Sequence, residues 1–301
     1  MTDPAGADGA VPPIARTVAD LRAAVAAWRA RGETAALVPT MGALHAGHKA
    51  LIDAGRRHCR RIVVSLFVNP TQFSPGEDFA RYPRDEAADA RFVGAAGADL
   101  LYAPPVAAIY PAGFATTVTV AGLTDGLCGP FRPGHFAGVA TVVTKLLVQC
   151  GADAACFGEK DWQQLQVIRR LAADLDIATR IVGVPTVREP DGLALSSRNA
   201  YLSPPFRALA PSLHRTIRQA ADSFSGGVPA SAAIAAAVAA LQGASFDPID
   251  YVAICDAETL QPVERLDYDR PARVFAAARL GSARLIDNVP VLLRRETDVR
   301  P

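Results

Sequence analysis

Two histidines three positions apart, His45 and His48, are the first residues in this sequence whose spacing suggests chemistry. They lie in the segment PTMGALHAGH, residues 39–48. In the first turn of a helix, residues three apart share one side, next to free backbone N–H groups and a partial positive charge. Such a helix start binds phosphate oxygens, and Gly42 and Gly47 let a nucleotide approach the backbone.

Two other interpretations of the histidine pair stay open at this point. A zinc site is one, although no clear third ligand lies nearby in the sequence, and a tight turn with structural histidines is the other. In the nucleotide interpretation, the positive helix end disfavours an imidazolium. We therefore expect His48 to act mainly as a neutral hydrogen-bond donor toward an α-phosphate.

Amide side chains follow two predicted strands. Gln72, in the segment NPTQF, comes after Pro70 ends an apolar strand, and its amide can both donate to and accept from a hydroxy acid. In the segment FGEKDWQQL, Gly158 allows close approach, Lys160 offers a charge for phosphate, and Gln164 lies one helical turn further on. A plain strand-ending loop and a solvated helix cap explain the two segments about as well when each is considered alone.

A polar loop in the second half of the chain contains a further candidate phosphate site. In the segment LSSRN, the hydroxyls of Ser196 and Ser197 and the fixed cation of Arg198 suit triphosphate oxygens, and Gly192 would let the loop move. An interdomain linker is the alternative. For His135, in the segment RPGHFAGV, we favour a structural role.

Alternating strands and helices would position these residues. The predicted strands are 35–38, 61–68, 99–102, 154–157 and 181–184, and the predicted helices are 17–31, 48–60, 85–96 and 161–175. This alternation predicts an α/β domain with a doubly wound, Rossmann-like parallel sheet. Ligands of such sheets bind beyond the carboxyl ends of the strands, where the unusual residues occur.

The pattern changes near Val187. Two Ala-rich helices, 205–223 and 230–241, precede three predicted strands, 249–255, 273–278 and 284–293, without crossover helices between the strands. We predict a smaller α+β domain with an antiparallel sheet. The predicted organisation is a flexible tail (1–14), a Rossmann-like domain (15–186) and a C-terminal domain (187–301) that closes over the nucleotide.

Composition excludes several classes of function. A net charge of +1 gives no broad basic surface for nucleic acid or an acidic membrane. Five cysteines without a C-x-x-C pair argue against a disulfide framework or a structural zinc site. The sequence contains no P-loop, dinucleotide fingerprint or nucleophile elbow. The absence of a signal-peptide pattern and of a long apolar helix favours the cytoplasm.

Taken in order, the segments resemble the pantothenate synthetase family, within the cytidylyltransferase-like superfamily. The matching segments are PTMGALHAGH, NPTQF, YPRD, RPGHFAGV, FGEKDWQQL, PTVREPDGLALSSRNAYLS and ARLGSARLIDN. The resemblance implies a homodimeric ligase that uses Mg-ATP. The carboxylate of pantoate would attack the α-phosphate to give pantoyl-adenylate and pyrophosphate, and the amine of β-alanine would then release pantothenate and AMP.

The resemblance also implies roles for individual residues. His45 and His48 would flank the α-phosphate, with His48 as proton donor, and the catalytic set would include Lys160 and Arg198. Gln72 and Gln164 would hold pantoate, Gln72 would also contact β-alanine, and Asp89 would bind magnesium. The implied nucleotide-binding residues are Met41, Gly42, Ala43, Leu44, His45, Ala46, Gly47, His48, Gly158, Glu159, Lys160, Asp161, Val187, Leu195, Ser196, Ser197 and Arg198.

Two other functions remain as alternatives. A nucleotidyltransferase similar to phosphopantetheine adenylyltransferase would keep both histidines but would not need the segments NPTQF and GEKDWQQL. A catalytically silent binding or assembly protein is the other, although the presence of the histidines, Lys160 and Arg198 argues against it. The base that deprotonates β-alanine is undecided between His48 and the leaving phosphate.

Overall fold

The computed structural model describes residues 11–74 and 77–292. The chain forms two compact units. The first unit comprises 1–120, 134–159 and 167–185, and the second comprises 121–133, 160–166 and 186–301. The sequence predicted a single boundary after residue 186 and gave no sign that two earlier segments belong to the second unit.

The first unit contains a six-stranded parallel sheet, which confirms the predicted doubly wound architecture. Its strands are β1 (Ile14–Ala15), β2 (Ala35–Thr40), β3 (Arg61–Leu66), β4 (Leu100–Tyr102), β5 (Ala154–Gly158) and β6 (Arg180–Val184). The strand order is β1-β4-β3-β2-β5-β6. From β2 the chain adds β3 and then β4 on one side, and it later adds β5 and then β6 on the other side. The strand order therefore reverses between β2 and β5. Doubly wound sheets bind ligands at the carboxyl side of this reversal point.

The helices of the described residues follow in chain order. They are α1 (Val18–Arg29), α2 (Ala46–His58), α3 (Glu86–Ala95), α4 (Val106–Ile109), α5 (Cys128–Phe131), α6 (His135–Cys150), α7 (Trp162–Asp174), α8 (Pro204–Leu209), α9 (Ser212–Ser225) and α10 (Ala230–Gly243). Within this part of the chain, no helix has the length and apolar character that a membrane span requires.

Apolar side chains from β2, β3 and β5 form the core of the first unit together with α2. Val38, Ile62, Val64 and Cys156 are fully or almost fully buried, as is Ile52 of the helix. Burying each large aliphatic side chain contributes about 1.5–3 kcal/mol to the free energy of folding. Because these buried side chains come from both β2 and α2, the core fixes the point where the strand ends and the helix begins.

The first core strand continues past Pro39, where the sequence predicted that it would stop. The backbone carbonyl of Ala35 points toward β5 and that of Thr40 points toward β3. Because the backbone polar groups of successive residues alternate between the two neighbouring strands, the backbone nitrogen of Pro39, which has no hydrogen, faces β5. The ladder with β5 covers only Ala36 and Leu37, whereas the ladder with β3 runs to Thr40. The proline therefore removes no ladder hydrogen bond.

The second unit contains an antiparallel sheet of three strands, which confirms the predicted α+β architecture. The strands β7 (Ile249–Asp256), β8 (Ala272–Leu280) and β9 (Ala283–Pro290) are adjacent in this order. Helices α9 and α10 cover one face, where Ile217, Phe224 and Leu241 pack with Val274. Leu123, Leu127 and Trp162 pack against Phe275, the next residue of β8, on the other face.

Three details differ from the sequence prediction. Ile14, placed in the predicted tail, pairs with β4, while residues 1–10 lie outside the described part. The predicted helix 205–223 is divided between α8 and α9 at Pro211, because proline lacks the N–H of a helix interior. The last predicted strand ends at Pro290, and residue 293 lies outside the described residues.

Candidate active site

The histidine segment lies at the carboxyl end of the central strand β2. The strand ends at Thr40 and α2 begins at Ala46, with His45 as its N-cap in an extended conformation. The sequence placed the helix start two residues later, at His48, which lies in the first turn of α2. The structure therefore provides the strand-to-helix junction that the nucleotide interpretation requires.

Both imidazoles cap the helix through the same ring nitrogen. Nδ1 of His45 accepts the N–H of Gly47 at 3.1 Å, and Nδ1 of His48 accepts the N–H of His45 at 3.2 Å. The two ring centroids are 4.2 Å apart. A ring nitrogen that accepts an N–H carries no proton, so Nε2 holds the proton of each neutral ring. These contacts are those of neutral imidazoles, and the role of His48 as a donor toward an α-phosphate stays a prediction.

The turn before the histidines is held by Asp89 of α3. Gly42 and Ala43 have positive φ angles of 91° and 52°. The Asp89 carboxylate accepts the N–H of Ala43 at 3.0 Å through Oδ2 and the N–H of Leu44 at 2.9 Å through Oδ1. A Cβ atom on Gly42 would lie 2.8 Å from Oδ2 of Asp89, so this position requires glycine.

These contacts give Asp89 a structural role in the turn, and its contact with magnesium stays a prediction. The side chain is buried, and each carboxylate oxygen already accepts a backbone N–H. Among the described residues, no group of three or more His, Cys, Asp or Glu side chains is arranged to hold a metal ion. Magnesium is commonly held by substrate phosphates, water and one or two carboxylates, and each oxygen of Asp89 keeps a lone pair beside the N–H that it accepts.

Gln72 lies in a 3-10 turn directly after β3 and is also buried. Its Oε1 accepts Nδ2 of Asn69 at 3.1 Å, and its Nε2 lies 3.0 Å from Sδ of Met41. The carbonyl oxygen of Gln72 lies 2.8 Å from Nδ1 of His135 in α6. The first unit thus brings Gln72 next to the loop of the histidines, and His135 supports the backbone of Gln72.

The close packing of α6 under this turn explains another part of the segment RPGHFAGV. A Cβ atom on Gly138 would collide with the backbone of Thr71 and Gln72. The carbonyl of Gly138 also accepts Nδ2 of Asn69 at 3.2 Å, while the hydroxyl of Tyr110 donates to Oδ1 of Asn69 at 2.8 Å. Sequence reasoning missed Asn69, which caps the 3-10 turn at Pro70, three residues after β3 ends at Leu66.

Lys160 lies in a 3-10 turn between Gly158, at the end of β5, and α7. Its side chain is 19% exposed, with Nζ 3.9 Å from a carboxylate oxygen of Asp161. Within the second unit, the carbonyl of Lys160 accepts Nδ2 of Asn288 at 2.9 Å. The indole of Trp162 donates to the carbonyl of Ala257 at 2.7 Å. The start of α7 is therefore tied to the antiparallel sheet.

The two glutamines at the start of α7 have different surroundings. The buried Gln163 accepts the N–H of Cys128 at 3.0 Å and donates to the carbonyls of Leu123 and Gly126 at 2.9 Å each. Gln163 therefore ties the segment 121–133 to α7 within the second unit. Gln164, the predicted pantoate contact, remains partly exposed.

The predicted phosphate loop is a short hairpin followed by a 3-10 turn. The N–H of Leu195 donates to the carbonyl of Val187 at 3.0 Å, and Arg188 forms a bridge with Ala194. Oγ of Ser196 accepts the N–H of Arg198 at 3.3 Å at the start of the turn. Ser196, Ser197 and Arg198 are all partly exposed, as phosphate contacts require.

A buried ion pair holds the hairpin. Arg188 donates to the two carboxylate oxygens of Asp287 at 2.7 and 2.9 Å. Burial raises the pKa of the Asp287 carboxyl, but His214, whose Nδ1 lies 3.5 Å from Oδ2, and the hydrogen bonds from Arg188 outweigh it and hold the pKa below its usual value. The carboxylate is therefore ionised at neutral pH. Nothing in the sequence linked Arg188 to Asp287, which lies 99 positions later.

Comparison with known proteins agrees with this geometry. The sequence model of the family described as pantoate-beta-alanine ligase matches residues 13–290. A pantothenate synthetase from Paramagnetospirillum magneticum is 60% identical over 92% of this chain and 97% of its own length. One from Rhizorhabdus wittichii is 60% identical over 92% of this chain and 98% of its own length.

Solved structures show the same fold. A pantothenate synthetase from Thermus thermophilus superimposes with a TM-score of 0.85 at 48% identity, covering 93% of this chain and 99% of that one. A pantoate-beta-alanine ligase from Francisella tularensis, complexed with "Beta-gamma ATP" and β-alanine, has a TM-score of 0.77 at 31% identity, covering 93% and 97%. From the length of the family match and these identities, the chain belongs to the pantoate–β-alanine ligase family of enzymes.

Proposed function

We propose that this chain condenses (R)-pantoate with β-alanine, using ATP, through a pantoyl-adenylate intermediate. Pyrophosphate leaves in the first step, and AMP and pantothenate are released in the second. One observation carries the proposal beyond family membership. The His45–His48 cap directs two neutral imidazoles to one side of a helix start, with the ring proton of each on Nε2. Such donors suit the oxygens of an α-phosphate.

In the proposed first step, the pantoate carboxylate attacks the α-phosphorus and the bond to pyrophosphate breaks. Nε2–H of His45 and of His48 donate to α-phosphate oxygens as negative charge develops there, assisted by the backbone N–H groups at the start of α2. Transfer at phosphorus depends mostly on positioning and charge stabilisation, so no covalent enzyme intermediate is required.

The proposed phosphate contacts outside the histidine loop belong to the second unit. Lys160 supplies a point charge, Arg198 supplies a guanidinium fork, and the hydroxyls of Ser196 and Ser197 supply neutral donors. The resemblance to the family supports these roles, as does the partial exposure of all four side chains. Magnesium, as the partner of ATP, would neutralise part of the triphosphate charge.

Pantoate binding is proposed for two amides. Gln72 has an amide already oriented by Asn69 and Met41, so little side-chain entropy is lost when it binds a hydroxyl group. Gln164 is the second, and Gln72 also contacts β-alanine in this proposal. Neutral amides bind the hydroxy acid without competing for the cations that the triphosphate requires.

In the proposed second step, the amine of β-alanine attacks the activated carbonyl and AMP leaves. The sequence left the proton acceptor undecided between His48 and the leaving phosphate. In the tautomer fixed by the N–H of His45, Nδ1 of His48 is occupied and Nε2 carries the proton. This geometry favours the phosphate of the departing AMP as the acceptor.

Several parts of the sequence interpretation stay predictions. They are the homodimer, the cytoplasmic location and the shielding of the adenylate from water by the loop 187–199. The shielding has a direct measurement, because substitutions that open this loop should increase AMP production in the absence of β-alanine. Unchanged AMP production in such variants would contradict the shielding role.

The proposed reaction is tested by isotope exchange between pyrophosphate and ATP. We expect exchange that depends on pantoate and does not require β-alanine, because the first step is then reversible on its own. Formation of ADP and phosphate would instead indicate an acyl-phosphate route. Exchange that proceeds without pantoate would contradict the proposed substrate.

A further inference from the structure

Two consecutive residues of β9, Asp287 and Asn288, contact two different loops from opposite faces of the strand. Asp287 is paired with Ala276 in the sheet, on the face covered by α9. Asn288 is paired with Phe275, on the face where Trp162 packs. Because successive side chains of a strand point to opposite faces, one short segment reaches both sides of the sheet.

On the first face, Asp287 fixes the hairpin that leads to Ser196 and Arg198. The forked hydrogen bonds from Arg188 to Asp287 are charge-assisted and directional. Arg188 also donates to the carbonyl of Gly192 at 3.2 Å, at the tip of the hairpin. The conformation of the hairpin therefore depends on a carboxylate in β9.

The base of the same hairpin continues into the 3-10 turn. Asn199 donates from Nδ2 to the carbonyl of Ala194 at 3.0 Å, and Ser282 donates to the carbonyl of Tyr201 at 3.4 Å. The turn that carries Arg198 is thus attached to the hairpin at one end and to the sheet at the other. A shift of the hairpin would move Arg198 with it.

On the second face, Asn288 fixes the backbone of Lys160. Its Nδ2 donates to the carbonyl of Lys160, and its Oδ1 accepts Nε of Arg273 at 2.9 Å. The guanidinium of Arg273 lies 3.7 Å from the ring centroid of Trp162, two residues after the lysine. Both ends of this short segment are therefore held by the same sheet.

The position of Asp287 argues against a role in stability alone. Its neighbours on the same face of β9, Leu285 and Val289, belong to an apolar cluster. A buried ion pair at such a position stabilises a fold no better than apolar residues of similar volume, because of the desolvation of both charges. An aliphatic side chain at this position could not orient Arg188.

We propose that Asp287 and Asn288 are positioning residues for ATP binding, through Arg198 and through Lys160 respectively. The proposal rests on the phosphate-binding roles given above to Lys160 and Arg198. The proposal gives a role to Asp287 and Asn288, which end the segment ARLGSARLIDN and have no part in the proposed chemistry. Neither residue touches the nucleotide in this proposal.

The first test uses Asn288→Asp, which keeps the oxygen that accepts from Arg273 and loses the donor to Lys160. We expect kcat/KM for ATP in pantoate-dependent exchange to fall by about tenfold or more, with little change in the KM for pantoate, as displacement of a positioned group predicts. Ser225→Ala is the matched control, since it also removes one hydrogen bond from a side chain to a backbone carbonyl, that of Leu292. The control should keep the activity of the wild type.

A double-mutant cycle separates positioning from general destabilisation. In a Lys160→Ala background, Asn288→Asp should reduce kcat/KM by no more than about twofold, because the group through which it acts is absent. Asp287→Asn should likewise have little effect in an Arg198→Ala background. Should Asp287→Asn fail to fold, Arg188→Lys keeps the buried charge but removes the fork, and it should show the same dependence on Arg198.

The outcomes distinguish this proposal from the proposed function. If the wild type lacks pantoate-dependent exchange, the proposed reaction is wrong. Equilibrium dialysis then tests the positioning role separately, by comparing the affinity of Asn288→Asp for ATP with that of Ser225→Ala. If the wild type is active, the positioning role is overturned when, in both cycles, the fold-loss in kcat/KM of the double mutant equals the product of the losses of the two single mutants. An equal effect of Asn288→Asp and Ser225→Ala on the KM for ATP overturns it as well.

Discussion

The two units of this protein hold their candidate site residues by different means. In the first unit, His45 and His48 are oriented by the backbone of their own helix start, within three residues of sequence. In the second unit, Lys160 and the hairpin of Arg188 depend on contacts to β9 that lie 128 and 99 positions away. Local geometry can be deduced from a motif, whereas the distant contacts emerge only when the sheet has formed.

The largest effect is expected at the local site. His48→Ala removes a proposed donor to the α-phosphate, and we expect pantoate-dependent exchange to fall by roughly a hundredfold or more. His58→Ala, on the exposed end of the same helix, is the matched control and should retain exchange. A loss of less than threefold in His48→Ala would remove this imidazole from the proposed chemistry.

The buried and exposed carboxylates of the second unit should differ sharply in their effect on stability. Asp287→Asn leaves the guanidinium of Arg188, whose side chain is 20% exposed, without its counter-charge, at a cost of about 3 kcal/mol in the free energy of unfolding. Asp191→Asn breaks an ion pair in which the side chains of Arg207 and Asp191 are 36% and 42% exposed, and it should cost less than about 1 kcal/mol.

Tryptophan fluorescence provides a reporter for this comparison. The sequence has two tryptophans, Trp28 in the first unit and Trp162 in the second. In a Trp28→Phe background, urea unfolding monitored at Trp162 reports on the second unit. Equal midpoints and slopes for the variants at Asp287 and Asp191 would show that the buried pair does not hold the hairpin.

A smaller effect is expected when the turn of the first unit is altered. Asp89→Asn replaces one acceptor oxygen by an NH₂ group that faces a backbone N–H, which should cost about 1–3 kcal/mol and lower the exchange activity. The magnesium concentration for half-maximal exchange should stay unchanged if the turn is the whole role of Asp89, because both carboxylate oxygens hold the turn. An increase of tenfold or more in that concentration would support Asp89 as a metal ligand.

The smallest effect concerns a partly exposed pair of the first unit. The hydrogen bond from Arg61 lowers the pKa of Glu33 to about 2, from a usual value of 4.5. The folded carboxyl stays ionised where the unfolded carboxyl would take up a proton. Its contribution to stability is therefore present above pH 4.5 and is lost as the pH falls toward 2.

Glu33→Gln tests this pH dependence. Thermal unfolding at pH 5 and at pH 3 should show a smaller drop in Tm for the variant than for the wild type. Because the Glu33 side chain is 20% exposed, solvent ions reach the pair and the difference should also shrink in high salt. An identical drop in both proteins would exclude Glu33 from the acid response.

Much of the fold could be predicted because its signals are local. The continuous apolar strand around Val64 and the turn between β2 and α2 followed from periodicity and from residue types. The division of the predicted helix 205–223 was missed because its apolar pattern continues through Pro211. The extension of β2 through Pro39 was missed because it depends on where β5 stops pairing.

The site was predictable to the same extent. Side chains that lie in motifs, such as His48 and Gln72, were proposed from their own segments. Contacts with the backbone of another segment were not foreseen, as for Gln163, Asp287 and the contact of Asp89 with the turn. Their partners are distant in sequence, and a carboxylate or an amide in a helix or strand carries no sign that distinguishes it from a solvated one.

The chain passes between the two units five times, because segments 121–133 and 160–166 belong to the second unit. A fragment ending at residue 185 would carry Leu123 and Trp162 without the strands that these side chains cover. Such a truncation would expose apolar surface and invite aggregation. On the ribosome, the earlier segments must wait for β7, β8 and β9 to emerge, so the second unit can fold completely only after β9 has been synthesised.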